Sequence, residues 1–158
     1  MTESVPPNAP DPRGKPVDLH TWVDSDHVGD KMTRRLCTGY FIFLNTALIN
    51  WLSKKQATIE GSVFGDELVD MKTGVEALRG IRYNLGMMGV KLIGPTYVYG
   101  DNMSVIYNTS RPESTLKKKS NSICYHAVRE AVASGKCLTT HCKTGDNYSD
   151  MMTKVLYG

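Results

Sequence analysis

The sequence lacks the features that mark membrane, secreted or disulfide-rich proteins. It contains no run of about 18 apolar residues, which a membrane-spanning helix needs. Its first residues, Met-Thr-Glu-Ser-Val-Pro-Pro, do not form an apolar signal segment. It has 4 cysteines and no C-x-x-C pair, which is too few for a disulfide framework. We therefore expect an intracellular protein with reduced thiols.

Neither the charge nor the apolar content is extreme. Of the 158 residues, 41% are hydrophobic and 22% are charged, and the formal net charge is +3. This length and composition suit one soluble globular domain, and the mildly basic charge permits nucleic-acid binding without demonstrating it. Residues 1–16 are rich in proline and have little to bury, so we predict a linker or disordered tail there. The domain is predicted to span residues 17–158.

The spacing of apolar residues changes along the chain from the period of strands to that of helices. A period of two predicts strands at 17–24, 39–44 and 48–52 that form an antiparallel meander. Spacings of three and four predict a long amphipathic helix from about Val63 to Met88. The later pattern predicts, in order, a strand at Tyr97–Tyr99, a short helix, a helix at Ser122–Ala133, a strand at 136–143 and a final short helix. The order predicts an α/β fold with a five-stranded mixed sheet, three antiparallel strands followed by two parallel ones, and helices on both faces.

Four acidic residues lie at or near the ends of predicted elements. They are Asp24 after the first strand, Glu67 early in the long helix, Asp101 after the fourth strand, and Asp150 in the last helix. Each alone is explained as a turn residue, a helix cap or a favourable charge at a helix N-terminus. If the first and fourth strands are neighbours, the carboxylates would converge and repel one another. Two divalent cations would neutralise them, and Mg²⁺, which prefers oxygen ligands, would support phosphodiester hydrolysis.

Basic residues cluster in two places, after the third strand and in a loop before the Ser122 helix. The first cluster is Lys54-Lys55 and the second is Lys117-Lys118-Lys119. Both a solvated connector and a set of phosphate contacts fit these stretches. Residues Cys137, His141 and Cys142 also lie close together, but their spacing suits a strand better than a zinc site.

Blocks of residues in a fixed order carry a resemblance over nearly the whole chain. They are Val23–Asp30, Thr38–Tyr40, Trp51–Gln56, Phe64–Glu67, Leu78–Tyr83, Gly100–Asn102, Pro112–Lys119, Tyr125–Glu130 and Ser149–Lys154. Together they resemble the ribonuclease H domain of copia-type retrotransposon Pol polyproteins. The resemblance implies a ribonuclease H-like fold and a metal-dependent endoribonuclease that hydrolyses the RNA strand of RNA–DNA hybrids.

The resemblance also implies a role for individual residues. Asp24, Glu67, Asp101 and Asp150 match the catalytic, metal-binding carboxylates of the family, which hold two Mg²⁺ ions, with Mn²⁺ as a substitute. The implied substrate contacts are Lys54, Lys55, Asn102, Lys117, Lys118 and Lys119. The implied partners are an RNA–DNA hybrid and an upstream reverse transcriptase domain in the parent polyprotein, without a membrane. The expected location is a cytoplasmic retroelement particle or the nucleus.

Four positions depart from the pattern of this family. Gly100 replaces a common Cys, Ser120 a common His, and Ser149 a usual Ala, and Asp66 adds a second acid beside Glu67. These departures favour an alternative, a catalytically inactive remnant that only binds nucleic acid or is structural. A different nuclease or an integrase on the same fold is a third interpretation, because the fold alone does not decide between them.

Overall fold

The computed structural model describes residues 6–26, 37–56, 62–116 and 119–153. Within these ranges the strands are β1 (Arg13–Val17), β2 (Leu19–Asp26), β3 (Cys37–Leu44), β4 (Ala47–Lys55), β5 (Val90–Leu92), β6 (Thr96–Gly100) and β7 (Cys137–His141). The helices are α1 (Val63–Met87), α2 (Met103–Ser110), α3 (Ser122–Ala133) and α4 (Asp150–Thr153). None of the helices in these ranges is both long enough and apolar enough to cross a membrane.

The main sheet has five strands in the order β4-β3-β2-β6-β7. Strand β3 pairs antiparallel with β2 and β4, while β6 pairs parallel with β2 and β7. This confirms the predicted sheet, with three antiparallel strands followed by two parallel ones. Because β2 and β6 are parallel neighbours, their carboxyl ends meet at one edge, the position where ligands bind in open α/β sheets.

A second, small sheet was not predicted. Strand β1 pairs parallel with β5, so Arg13–Val17 begins inside residues 1–16, which were predicted as a linker or disordered tail. The pairing uses the main chain, since the Arg13 amide donates to the Gly89 carbonyl at 2.9 Å and the Ile93 amide donates to the Val17 carbonyl at 2.8 Å. Most of β1 is exposed. Strands held by backbone bonds without a buried face leave little hydrophobic pattern in the sequence.

Helix α1 packs on the sheet through the residues that its apolar spacing indicates. Its buried positions include Leu68, Met71 and Val75, which belong to one core with Val23 of β2. At Gly74 the two elements approach so closely that an added Cβ would lie 2.5 Å from Val23 Cγ1. A side chain there would force the helix away from β2. Glycine therefore sets the distance between α1 and the strand that carries Asp24.

Candidate metal centre

Three of the four predicted acids converge at the carboxyl edge of the sheet. Asp24 lies near the end of β2, Glu67 in the second turn of α1, and Asp101 directly after β6. One carboxylate oxygen from each residue lies within 4.8 Å of the other two. Such a set of oxygen donors is what Mg²⁺ and similar hard cations prefer. The geometry therefore allows all three side chains to bind one cation.

Asp101 directly follows β6, and a hydroxyl group contacts its carboxylate. Its Oδ2 accepts a hydrogen bond from the Thr144 hydroxyl at 3.0 Å. The residue before it, Gly100, packs closely against α1, since an added Cβ would lie 3.2 Å from Met71 Cε. The pKa of the nearby Cys142 thiol is raised to about 11, by burial first and then by Asp101 and other carboxylates. This edge of the sheet therefore has a negative potential.

The pKa of Glu67 is strongly raised. Its pKa is raised to about 8, first by burial and then by the negative charge of Asp101, with smaller effects from Asp70 and Asp24. The Ser25 hydroxyl lowers the pKa and offsets part of this rise. Without a cation, Glu67 therefore keeps its proton near neutral pH. A divalent ion would displace that proton and bind the carboxylate.

A further carboxylate beside this group, Asp70, was missed by the sequence analysis. Asp70 is completely buried and lies three residues after Glu67 on α1. Its Oδ1 accepts hydrogen bonds from the Thr38 hydroxyl and, at 2.9 Å, from Gln56 Nε2. Its pKa is raised to about 7, mainly by burial, against the lowering effect of its hydrogen-bond donors. The available signal was its spacing from Glu67, which places both on one helix face.

Asp150, the fourth predicted acid, is not part of the close group that the described residues form. It begins α4, is half-buried, and lies on a helix that packs against β2 and β3. Asn147 anchors this segment, because its Nδ2 donates to the Val23 carbonyl at 2.9 Å. The Ser149 amide and hydroxyl both donate to Asn147 Oδ1, at 3.2 and 2.7 Å. Asp150 is thus fixed near the residue that precedes Asp24, and its metal-binding role stays a prediction.

Several predicted substrate contacts lie at the same end of the sheet. Lys54 and Lys55 are exposed on β4, and Lys54 pairs in register with Thr38, which pairs with Ser25. Two strand spacings, about 10 Å, separate Lys54 from Ser25. Lys119 is exposed at the start of a 3-10 turn. The remaining two of the predicted basic contacts, Lys117 and Lys118, lie outside the described residues.

Asn102, the last predicted contact, has a clear structural role. It caps the N-terminus of α2, and its Oδ1 accepts hydrogen bonds from the amides of Ser104 and Val105 at 3.0 and 3.3 Å. The cap fixes the side chain one residue after Asp101. With Oδ1 used in this way, a contact with a ligand would come from the Nδ2 donor.

Comparison with known proteins gives relatives among transposon polyproteins, although no family model matches the chain. Over 144 residues it is 31% identical to the retrovirus-related Pol polyprotein from transposon RE1 of Arabidopsis thaliana. Its identity to the corresponding polyprotein from transposon RE2 of the same plant is 30%. Each match covers 91% of this chain but 10% of the relative's length. The chain thus corresponds to a small segment of these polyproteins.

Solved structures give the fold of that segment. The N-terminal RNase H domain of a Mycobacterium tuberculosis protein superposes with a TM-score of 0.65 and 10% identity, covering 87% of this chain and 91% of that domain. LC11-RNase H1, solved in complex with an RNA/DNA hybrid, gives 0.63 and 11%, covering 86% and 92%. At such identities the likeness shows the fold alone. The chain is therefore homologous to a segment of retrovirus-related Pol polyproteins from transposons, and this segment has the ribonuclease H fold.

Proposed function

We propose that this domain is a metal-dependent endoribonuclease that hydrolyses the RNA strand of RNA–DNA hybrids. The observation that carries the proposal is the convergence of Asp24, Glu67 and Asp101 at the carboxyl edge of the sheet. The ribonuclease H fold supports it, as does the hybrid bound to one structural neighbour. The homology to retrovirus-related Pol polyproteins from transposons supports it as well.

The residues present fit a divalent cation. The donors in the close group are all carboxylate oxygens, and the pKa of Glu67 is raised first by burial and then by the negative charge of Asp101. Mg²⁺, or Mn²⁺ in its place, would neutralise that charge, lower the pKa of a bound water and stabilise a leaving oxygen. We expect two ions, with Asp150 contributing to the site of the second one.

The side chains of this domain would orient the hybrid around the cation site. Asp24 and Asp101 are fixed by two neighbouring strands, so their carboxylates hold their separation when a substrate binds. Lys54, Lys55 and the basic loop that ends at Lys119 would contact backbone phosphates. The Nδ2 of Asn102 would donate to a 2′-hydroxyl in the minor groove, where the RNA strand differs from DNA.

The parent polyprotein suggests where the substrate comes from. An upstream reverse transcriptase domain would produce the hybrid and hold it while this domain cleaves its RNA strand. The expected setting is a cytoplasmic retroelement particle or the nucleus. If the domain needs the polymerase to hold its substrate, the joined protein should cleave the hybrid faster than the isolated domain does at the same concentration of active sites.

The test is the cleavage of an end-labelled RNA–DNA hybrid in Mg²⁺ and in Mn²⁺. The wild type should cut the RNA strand, and Asp101→Asn should reduce the rate by about 100-fold or more, since it removes a charged ligand. Asp146→Asn is the matched control, because this exposed acid lies outside the close group, and its rate should equal that of the wild type.

Two results would reject the proposal. If folded wild-type protein cleaves nothing in either metal, the chain is an inactive remnant. If it cuts duplex RNA, duplex DNA and the hybrid equally, it is another kind of nuclease on this fold.

A further inference from the structure

We propose that Asp70 is a positioning residue, which fixes helix α1 to strands β3 and β4 through Thr38 and Gln56 and so holds Glu67 at the metal centre. The inference rests on the proposed function, in which Glu67 binds the cation. It assigns a role to a residue that is not one of the four predicted ligands. Three features of the structure carry it.

The first feature is the place of Asp70 on the helix. Glu67 and Asp70 are three residues apart on α1, so their side chains project from the same face, with about 5–6 Å between Cβ atoms. That face is turned toward the sheet, since Glu67 is 8% exposed and Asp70 is 0% exposed. A bond that fixes Asp70 therefore also fixes the rotation of the helix that aims Glu67.

The second feature is the pair of bonds at a single oxygen. The Thr38 hydroxyl and Gln56 Nε2 both donate to Asp70 Oδ1. Thr38 belongs to β3, and Gln56 directly follows β4. Both donors are buried, so solvent cannot replace the carboxylate as their acceptor. One oxygen atom of the helix thus connects α1 to two neighbouring strands.

The third feature connects these bonds to the metal centre. Ser25 follows Asp24 on β2 and pairs in register with Thr38. Its buried Oγ makes no hydrogen bond within the described part of the chain, but it lies near enough to Glu67 and Asp70 to lower the pKa of each. The end of β2 therefore lies beside both carboxylates of α1, next to the strand that carries Thr38. Residues that hold a ligand in this way change the metal affinity although they do not touch the ion.

The experiment is a calorimetric titration of Mn²⁺ into the metal-free wild type, Asp70→Ala and Asp70→Asn. Asp70→Asn is the matched control, because an amide oxygen can accept both hydrogen bonds that Oδ1 accepts. We expect Asp70→Asn to bind within about threefold of the wild-type affinity. Asp70→Ala, which removes the acceptor, should bind about 10- to 100-fold more weakly.

A second pair of variants covers the case in which Asp70→Ala fails to fold. Thr38→Val removes one donor at nearly constant shape and should weaken Mn²⁺ binding. Thr38→Ser keeps the hydroxyl and should bind Mn²⁺ as the wild type does. Melting temperatures in chelator separate the two kinds of role. A purely structural residue would lower the melting temperature of the metal-free protein without changing the Mn²⁺ affinity of the folded fraction.

The outcomes distinguish this inference from the proposed function. Wild-type affinity in folded Asp70→Ala or Thr38→Val would overturn the positioning role. Equal losses in Asp70→Asn and Asp70→Ala would also overturn it, because the charge and not the hydrogen bonds would then matter. Absence of Mn²⁺ binding in the wild type would refute the metal centre itself, before any variant is compared.

Discussion

The acidic site has a buried side, on helix α1, and an open side, after β6 and at α4. On the buried side, Glu67 and Asp70 both have raised pKa values, with burial as the main cause. On the open side, Asp101 and Asp150 are half-buried. The fold therefore shields one half of the site from solvent. The other half faces the solvent, where a cation and a nucleic acid can enter.

The two sides also differ in how their side chains are held. Asp70 is bonded by buried donors from two strands, whereas Asp101 Oδ2 receives its hydrogen bond from the exposed Thr144. A buried donor that loses its acceptor stays unpaired, but an exposed one can bond to water. The loss of a supporting hydrogen bond should therefore have a larger effect on the buried side than on the open side.

The largest effect is expected for Glu67→Gln. The substitution removes a charged ligand, so Mn²⁺ affinity and hybrid cleavage should each fall by about 100-fold or more. The metal-free protein should become more stable than the wild type at about pH 8, because the buried carboxylate of Glu67 then no longer has to ionise. Calorimetric titration and thermal unfolding in chelator measure the two effects. Unchanged binding, or lower stability at this pH, would contradict the expectation.

The next largest effect is expected in the pH dependence of the stability of the metal-free protein. Folding raises the pKa of Glu67 from 4.5 to about 8 and that of Asp70 from 3.8 to about 7. At a pH between the unfolded and the folded pKa of each residue, the folded state binds more protons than the unfolded state. The free energy of unfolding should therefore fall as the pH rises. Urea unfolding in chelator at about pH 5.5, 6.5 and 7.5 tests this. A flat profile would contradict it, and Glu67→Gln should reduce the slope.

The affinity for the cation should depend on pH in the opposite way and rise with pH, because the cation binds the deprotonated carboxylates. Below the pKa of Glu67, Mn²⁺ affinity should rise by up to about tenfold per pH unit. Titrations in buffers with different heats of ionisation would count the protons released. Binding without proton release near neutral pH would show that Glu67 is already ionised.

A smaller effect on metal binding is expected for Asp150→Asn on the open side. Asp150 lies outside the close group, so the affinity for the first Mn²⁺ ion should stay within about threefold of the wild type. Cleavage should still fall, because the second ion would lose a ligand. Titration measures the effect on Mn²⁺ affinity and the cleavage rate measures the effect on catalysis. A loss of cleavage that is much larger than the loss of affinity would show that Asp150 serves the second ion and not the first. A loss of affinity as large as that of Glu67→Gln would place Asp150 among the ligands of the first ion.

The smallest effect is expected for Thr144→Val. It removes the 3.0 Å hydrogen bond to Asp101 Oδ2, but water can replace the hydroxyl at this exposed position. We expect less than about a threefold change in the cleavage rate. A large loss of cleavage in a folded variant would show that water does not replace the hydroxyl, and that the open side depends on its hydrogen bonds as much as the buried side does.

The parts of the fold that could be predicted are those with a strong local signal. The predicted helix from Val63 to Met88 is observed as Val63–Met87, and the helix predicted at Ser122–Ala133 is observed with those bounds. Apolar spacing marks both helices, and Ser62 caps the first through the Gly65 amide at 3.2 Å. Strand β1 had no such signal, because it is mostly exposed and held by backbone bonds.

The parts of the site that could not be predicted depend on contacts distant in sequence. Asp70 meets Thr38 from 32 positions away, and Asn147 reaches the Val23 carbonyl from 124 positions away. The spacing of Asp70 from Glu67 puts it on the same helix face, but nothing in the local sequence indicates these distant partners. The converging acids were predictable because strand ends and helix starts meet at one edge of the sheet. The network that supports them appears only when the chain is folded.

The most direct test of the metal centre is to locate Mn²⁺ by anomalous scattering in crystals grown with the ion. We predict an anomalous peak between Asp24, Glu67 and Asp101, coordinated by one carboxylate oxygen from each. If the three carboxylates have the arrangement described above but no peak lies between them at saturating Mn²⁺, the metal centre is contradicted, and with it the proposed nuclease mechanism.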